Sequence, residues 1–341
     1  MKKQVCLVPE LSGMGGMVSF QARMIAGLAA RGIPHTFDLA SPENHAILVI
    51  GGTRHLWQLW RARRRGVRIV QRLNGMNWLH RIEKTAPRAF LRAELNNRIL
   101  AFIRRRLADH IVYQSQFSHD WWERVFGQHA LPDQVTFNGV DLDRYTPQGP
   151  GSPPEDHYRI LLVEGHLDGA YARGLEMAVR LAASVKEKTA RAVELMVVAE
   201  VGEQLKAHAH TLAPDLWITW RGVVPREAIP GIDRAAHVLL STDLNAACPN
   251  SVIEALACGL PVLAYATGAL AEMVRDGSGE VVPYGADHWQ LEDPLIPPLA
   301  DACLRILEDN PAYRTRARTR AMAAFSLERM VAGYLDALEV L

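Results

Sequence analysis

The 341-residue chain is poor in most features that would place it quickly. It has four cysteines, Cys6, Cys248, Cys258 and Cys303, and no C-x-x-C pair. That excludes a disulfide framework and a cysteine zinc site, and it makes a reducing cytoplasm the expected compartment. It has almost no net charge: 38 Lys and Arg stand against 37 Asp and Glu, leaving +1. The basic excess of a nucleic-acid binder is missing. No apolar run approaches the ~20 residues that cross a bilayer. The opening Met1-Lys-Lys-Gln-Val-Cys-Leu-Val-Pro9-Glu10 begins like a signal peptide, but its apolar run stops at Pro9 and is too short for an h-region. Membrane contact, where there is any, is expected to be peripheral.

What is present is apolar residue in quantity. At 49% hydrophobic, 341 residues fill two ordinary cores and argue against disorder. The neutral balance hides clusters at Arg61, Arg63, Arg64, Arg65 and Arg68, and at Arg104-Arg105-Arg106. Two readings stay open. One is a solvated helix face plus a helix C-terminus, the commoner arrangement. The other is peripheral contact with anionic lipid or a lipid-linked acceptor through Arg61–Arg68 and Arg104–Arg106.

Short apolar runs alternate with amphipathic ones. Strands are expected at 5–8, 36–39, 46–50, 67–73, 111–114 and 135–137. After the Gly-Pro cluster Gln148-Gly-Pro-Gly-Ser-Pro-Pro154 they recur at 160–163, 195–198, 217–220, 238–240, 262–264 and 280–282. Strands alternating with helices predict two doubly wound, parallel-sheet Rossmann-like lobes. The linker is expected in the Gly-Pro cluster, giving lobes 1–150 and 151–325. A last amphipathic helix, 326–341, is expected to cross back to the first lobe. Lobes of this kind bind ligands beyond the carboxyl ends of their strands, so the cleft between them is the expected site.

Three stretches could carry chemistry. Gly13-Met-Gly15-Gly16 follows the first strand and precedes a helix, where glycines admit a ligand close to the backbone and the helix start favours anions. It is not G-x-G-x-x-G, so a nicotinamide dehydrogenase reading is weak; a tight turn without ligand is the plain alternative. Asn245-Ala-Ala-Cys-Pro-Asn250-Ser251-Val252-Ile-Glu254-Ala-Leu-Ala-Cys-Gly259-Leu-Pro261-Val runs from a strand through a polar loop into a helix opening at Ser251. Free N–H groups there suit a diphosphate, and Glu254 suits a ribose diol. The same letters also read as a capping box, S-x-x-E, which would leave Glu254 purely structural. Gln71-Arg-Leu-Asn74-Gly-Met-Asn77-Trp78-Leu-His80-Arg81 holds side chains that bind sugar hydroxyls and stack on sugar rings. Asn74, Asn77, Trp78 and His80 are therefore candidate acceptor contacts, an ordinary polar loop being the alternative. His208-Ala-His210 sits in a helix at a spacing that does not share a face, so it is no metal pair.

The second stretch resembles the donor-binding signature of the family 4 (group 1) retaining glycosyltransferases, usually Glu, seven residues, Glu, then Ala-(Leu/Met)-Ala-Cys-Gly-x-Pro-Val. Further resemblances follow the family's order: Ala108-Asp-His-Ile-Val-Tyr-Gln-Ser115-Gln-Phe-Ser118, Asn138-Gly-Val-Asp141, Arg221-Gly-Val-Val-Pro225 and Gly268-Ala-Leu-Ala-Glu272-Met-Val-Arg-Asp-Gly277. The resemblance implies the GT-B fold. It implies transfer of a hexose-type sugar from a nucleotide-diphosphate sugar to a glycan, lipid-linked or small-molecule acceptor, with retention, without metal and without cofactor beyond the donor. Donor contacts would come from Gly15, Gly16, Gly165, Val223, Asn250, Ser251, Val252 and Glu254. Catalytic roles would fall to Arg173, His166 and Glu254, with a cation needed to neutralise the leaving diphosphate. Bacterial polysaccharide assembly is the setting it suggests. Two departures stand out. Ala246 replaces the first Glu, and His166 replaces the Arg of the family's basic pair, six residues, Leu167 to Ala172, separating it from Arg173. They keep two alternatives in play, a catalytically silent nucleotide-sugar-binding protein and a GT-B nucleotide-sugar epimerase.

Overall fold

A computed structural model describes residues 3–13, 15–167 and 172–340. Among them, two compact units are found: Met1–Gly139 with Leu327–Leu341, and Val140–Ser326.

The first unit is built on β1 (Gln4–Val8), β2 (His35–Thr36), β3 (Asn44–Ile50), β4 (Arg68–Leu73), β5 (His110–Tyr113) and β6 (Asp133–Val135). They form one sheet in the order β2-β1-β3-β4-β5-β6, parallel throughout. Central parallel strands are covered on both faces, which is why β1 and β3 carry the apolar runs Val-Cys-Leu-Val and Ala-Ile-Leu-Val-Ile. One face packs against α1 (Gly16–Ala30), bringing Phe20, Met24 and Leu28 onto Val5, Leu7 and Leu48. The other face packs against α2 (Leu56–Arg64) and against α3 (Pro87–Phe102) with its π-helical extension Ile103–Leu107. Leu59, Ala62, Ile99 and Ile103 meet Cys6, Ile47 and Ile69 there. The unit is completed by α4 (Gln116–Phe126), started by a capping box between Ser115 and Ser118.

The second unit holds β7 (His157–His166), β8 (Ala192–Glu200), β9 (Trp217–Trp220), β10 (Val238–Ser241), β11 (Val262–Tyr265) and β12 (Gly279–Val282). Their order is β12-β11-β10-β7-β8-β9, again all parallel. Winding reverses between β7 and β10, and the crevice beyond the carboxyl ends of that pair is the switch point where doubly wound sheets take ligands. Its helices are α5 (Ala172–Lys188), α6 (Glu203–Leu212), α7 (Ile229–Arg234), α8 (Asn250–Ala257), α9 (Leu270–Met273), α10 (Ile296–Glu308) and α11 (Asn310–Ala324). Leu175, Val179 and Leu181 of α5 and Leu299, Cys303 and Ile306 of α10 fill the core with Ile160, Leu195 and Leu240.

The last helix, α12 (Leu327–Leu338), belongs to the first unit. Its Val331 lies so close to Gly27 that a Cβ there would stand 2.4 Å from Val331 Cγ2. The division between units differs from the one expected at the Gly-Pro cluster. It falls at 139/140, because the carbonyls of the following segment are held by arginines of the second unit. Arg318 donates to Leu142 O and Tyr145 O, and Arg234 donates to Thr146 O and Pro150 O. Long-range bonds, invisible in local composition, make 140–150 part of the second unit.

Candidate functional site

Three segments of the second unit meet at the carboxyl edge of β7 and β10. They are Glu164-Gly165-His166 at the end of β7, the loop 242–249 after β10, and the start of α8. Pro249 occupies the N-cap position of α8, and no side chain caps it. An uncapped helix start leaves its first N–H groups to another acceptor, an arrangement suited to a diphosphate.

That geometry removes the structural alternative for Glu254. With Pro249 as N-cap, Ser251 is the second helical residue and Glu254 the fifth, so the S-x-x-E capping box does not form. Glu254 is instead buried, with Arg226 Nη2 3.9 Å from its Oε1. It also bears on buried Asp233, whose carboxyl is pushed well up by burial and by the like charge of Glu254. Asn250 and Ser251 are half-buried in the first turn, whereas the Val252 side chain is fully buried.

Other expected residues are positioned as follows. Gly165 and His166 are exposed, and a Cβ at Gly165 would meet nothing within 4 Å. Val223 is 53% exposed in the loop after β9. Arg173 lies in the first turn of α5, but its guanidinium donates to Leu291 O at 2.8 Å and faces Asp293 at 3.6 Å. Of the insertion between His166 and Arg173, residues 168–171 lie outside the described residues.

The loop 242–249 is braced by the turn before α9. Ala269 N donates to Ala246 O at 2.9 Å, and Thr267 Oγ1 donates to Asp243 O. Gly268, at φ +57°, presses on the 245–246 peptide so tightly that a Cβ would sit 2.6 Å from both Ala246 N and Ala246 O.

Four residues at this edge escaped sequence reasoning. Glu164 and Asp243 bring half-buried carboxyls to adjacent strand ends, and burial pushes both above the ordinary carboxylate range, Asp243 adding repulsion on Glu164. Asn245 is buried at φ 57°, and neither of its side-chain amide atoms has a hydrogen-bond partner. Arg226 supplies the cation beside Glu254. The available signal was position: each lies at or just past a strand end or in the loop after β9.

In the first unit, Gly15 (φ +123°) is the N-cap of α1 and Gly16 its first residue, both exposed; Met14 lies outside the described residues. The expected acceptor residues divide. Asn74 O accepts from Trp122 Nε1 at 2.7 Å. The Asn77 backbone N–H and amide both donate to Asn97 Oδ1, and Trp78 is half-buried. His80 is no surface residue: it is buried, with Nε2 2.9 Å from Glu94 Oε1 and its ring edge-on to Phe90. Arg81 joins Glu94 at 2.6 Å, and these hydrogen bonds hold the Glu94 carboxyl down at about 2. His80 and Arg81 thus pin this loop to α3.

Among the described residues, no group of three or more His, Cys, Asp or Glu side chains is arranged to hold a metal ion. One Asp-x-Asp triplet occurs, Asp141-Leu142-Asp143, and it is a turn in which Asp141 Oδ1 accepts from Asp143 N and Arg144 N. His208 pairs with Glu176 while His210 lies against Trp220, so the two do not act together.

Residues 158–309 match the family model described as Glycosyl transferases group 1. A D-inositol 3-phosphate glycosyltransferase of Salinispora arenicola is 30% identical over 227 residues, 60% of this chain and 48% of that protein. The chain spans about half the length of the curated relatives it matches first. Sucrose-phosphate synthase from Thermosynechococcus elongatus superposes with a TM-score of 0.74 at 17% identity, over 99% of this chain and 98% of the other. HepE of Anabaena, solved with UDP and glucose, gives 0.70 at 16%, over the whole of both chains. Likeness at these identities is likeness of fold: two parallel-sheet α/β units, the GT-B fold, the second carrying a group 1 glycosyltransferase segment.

Proposed function

We propose that the protein is a glycosyltransferase that takes a hexose-type sugar from a nucleotide-diphosphate sugar and passes it to a glycan, lipid-linked or small-molecule acceptor. The observation that carries this is the uncapped start of α8 at the β7/β10 switch point, with the Glu254–Arg226 pair beside it. The first-turn N–H groups of α8 would take the diphosphate and Glu254 the ribose. Negative charge gathering on the leaving diphosphate would be met by the helix start, Arg226 and Arg173. Arg173 reaches the anion by leaving Asp293. The half-exposed ion pair contributes about 1 kcal/mol or less, and the hydrogen bond to Leu291 O, worth about 1–3 kcal/mol, must be given up with it. Retention, independence of metal, and a place in polysaccharide assembly belong to the same proposal, by family resemblance.

Ala246 and His166 favour one second reading, a nucleotide-sugar-binding protein without turnover, because both replace charged residues of the family signature. Thermal unfolding against UDP, GDP, ADP and their sugars, with and without EDTA, tests the first step common to both. Ligand at 100 times its dissociation constant should stabilise by about 2.7 kcal/mol. Stabilisation by one nucleotide, indifferent to EDTA and lost in Glu254→Ala, supports the donor site, and release of free nucleotide on adding acceptor then selects transferase over silent binder. No response to any nucleotide refutes both.

A further inference from the structure

Charge in this chain is segregated. Residues 54–106 carry 15 Arg and Lys against Glu83 and Glu94, a net of +13 in a protein of net +1. The structure shows where that charge goes. Some of it is structural: Arg104 is buried on Tyr113 Oη and Gly127 O, and Arg68 binds Ala337 O and Glu339. Of the two arginine clusters, those members are not available to a partner. Arg63 holds Arg106 O and Asp109, Arg65 holds Leu39 O and Ala40 O, Arg72 is buried, and Arg81 is paired with Glu94. Arg61 and Arg64 of α2 and Arg88, Arg92 and Arg98 of α3 are displayed, all exposed.

Both helices cover the same face of the first sheet, through Leu59 and Ala62 of α2 and Ile99 of α3. Their outward sides therefore lie on one side of the unit. On α2 the outward stripe is Trp57, Trp60, Arg61 and Arg64, at i, i+3, i+4 and i+7, all exposed. The two indoles stack with centroids 4.6 Å apart, and Arg64 lies over Trp60. On α3, sixteen residues long, only Asn97 is buried. Its outward stripe is Arg88, Leu91, Leu95, Arg98 and Phe102, with Phe90 and Arg92 on the flanks. Among the apolar members, Trp57 and Leu91 are the most exposed, at 65% and 66%.

A polyanion in solution would need the arginines but not the apolar stripe. A protein partner's apolar surface would need the stripe but not so much unpaired charge. Arginine interleaved with Trp, Phe and Leu on two outward helix faces fits a water–lipid boundary of negative charge, where rings and leucines enter the headgroup layer and guanidiniums meet phosphates. We propose that the outer face of α2 and α3 is a docking surface for an anionic lipid bilayer. The inference is independent of the donor site.

The test is flotation of the full chain with vesicles of phosphatidylcholine alone and with vesicles of roughly three parts phosphatidylcholine to one of phosphatidylglycerol, at low and raised salt. Binding is expected only to the anionic vesicles and should weaken with salt. Each arginine withdrawn should weaken it about fivefold, so Arg61→Gln with Arg64→Gln should cost about 25-fold. Leu91→Ser with Leu95→Ser should cost about tenfold at unchanged charge. Arg124→Gln, exposed on α4, should change nothing. Brominated lipid should quench tryptophan fluorescence of the unmutated protein, and Trp57→Phe with Trp60→Phe should remove that quenching, a readout that does not depend on a weakened variant. Absence of anionic-vesicle binding overturns the proposal. So does equal binding to neutral vesicles, binding insensitive to both double variants, or retention of heparin or RNA without vesicle binding.

Discussion

Gly268→Ala is the most informative single change in the second unit. Gly268 sits at φ +57°, where an alanine costs about 1–2 kcal/mol. Its Cβ would also stand 2.6 Å from Ala246 N and O and 2.8 Å from the Asn245 carbonyl carbon. These are backbone atoms, so the loop itself must shift, at a further cost of about 1–3 kcal/mol. Gly222 separates the two contributions: its φ is +64°, but a Cβ there meets nothing within 4 Å. Gly222→Ala should therefore cost about 1–2 kcal/mol and Gly268→Ala about 2–5 kcal/mol. For a unit the size of Val140–Ser326, melting temperatures should fall about 2–8 °C and 4–20 °C respectively. Asparagine sharpens the contrast, since it tolerates a left-handed backbone but still carries a Cβ. Gly222→Asn should be almost neutral, and Gly268→Asn nearly as harmful as Gly268→Ala. The displaced loop leads directly into α8, so nucleotide affinity should drop at least about tenfold in both Gly268 variants and in neither Gly222 variant. Calorimetric unfolding and nucleotide titration read the two effects. A Gly268→Ala protein that melts with Gly222→Ala and binds nucleotide normally would refute the bracing of 245–246 by the 267–269 turn.

Glu254→Gln should lower nucleotide affinity about 10- to 100-fold, the worth of a hydrogen bond to a charged acceptor. It should not lower the melting temperature, because it removes the like charge facing Asp233; unchanged affinity on titration would count against the ribose role. Glu94 is held at about 2 by Arg81 and His80, below its ordinary 4.5, so its contribution to stability is complete above about 4.5 and fades as pH falls toward 2. Melting curves of Glu94→Gln should lose that acid slope, and an unaltered slope would contradict the assignment. Gly27→Ala should destabilise the first unit despite the better helix propensity of alanine, by up to about 2 kcal/mol, because its methyl meets Val331. Pairing it with Val331→Ala should recover part of the loss in a double-mutant cycle, and strict additivity would argue against that contact.

The sheets were legible because parallel strands are buried on both faces. Runs such as Ala-Ile-Leu-Val-Ile at 46–50 and Val-Leu-Ala at 262–264 announce themselves, and they fall within β3 and β11. The misreadings share one cause, namely interactions distant in sequence or turn chemistry too local for periodicity. The strand expected at 36–39 ends at Thr36, where Thr36 Oγ1 accepts from Asp38 N and Asp38 Oδ1 accepts from Ala40 N, folding the chain into successive turns. The Gly-Pro cluster at 148–154 looked like a linker because composition cannot register the guanidiniums of Arg234 and Arg318, donated from far along the chain. Pro249, two residues ahead of Ser251, takes the N-cap of α8, and that shift alone dissolved the capping box.

From the residues alone, the candidate site was legible where one segment carried it; Gly165, His166 and Arg173 entered only through the family resemblance. Asn250, Ser251 and Glu254 lie within one turn and a half of α8, so a local motif could find them. Glu164, Asp243 and Asn245 could not be found that way, because β7 and β10 are neighbours in the sheet but some eighty residues apart in the chain. Their placement changes how Ala246 should be weighed. Carboxyls at 164 and 243 crowd the edge of the same β7/β10 pair whose following loop has lost the signature Glu, and burial holds both toward the neutral form. An acid at half-buried position 246 would add repulsion to a pair that already resists ionisation. The alanine shares its loop with Asp243 and its sheet edge with Glu164, so its presence alone does not mark a decayed enzyme.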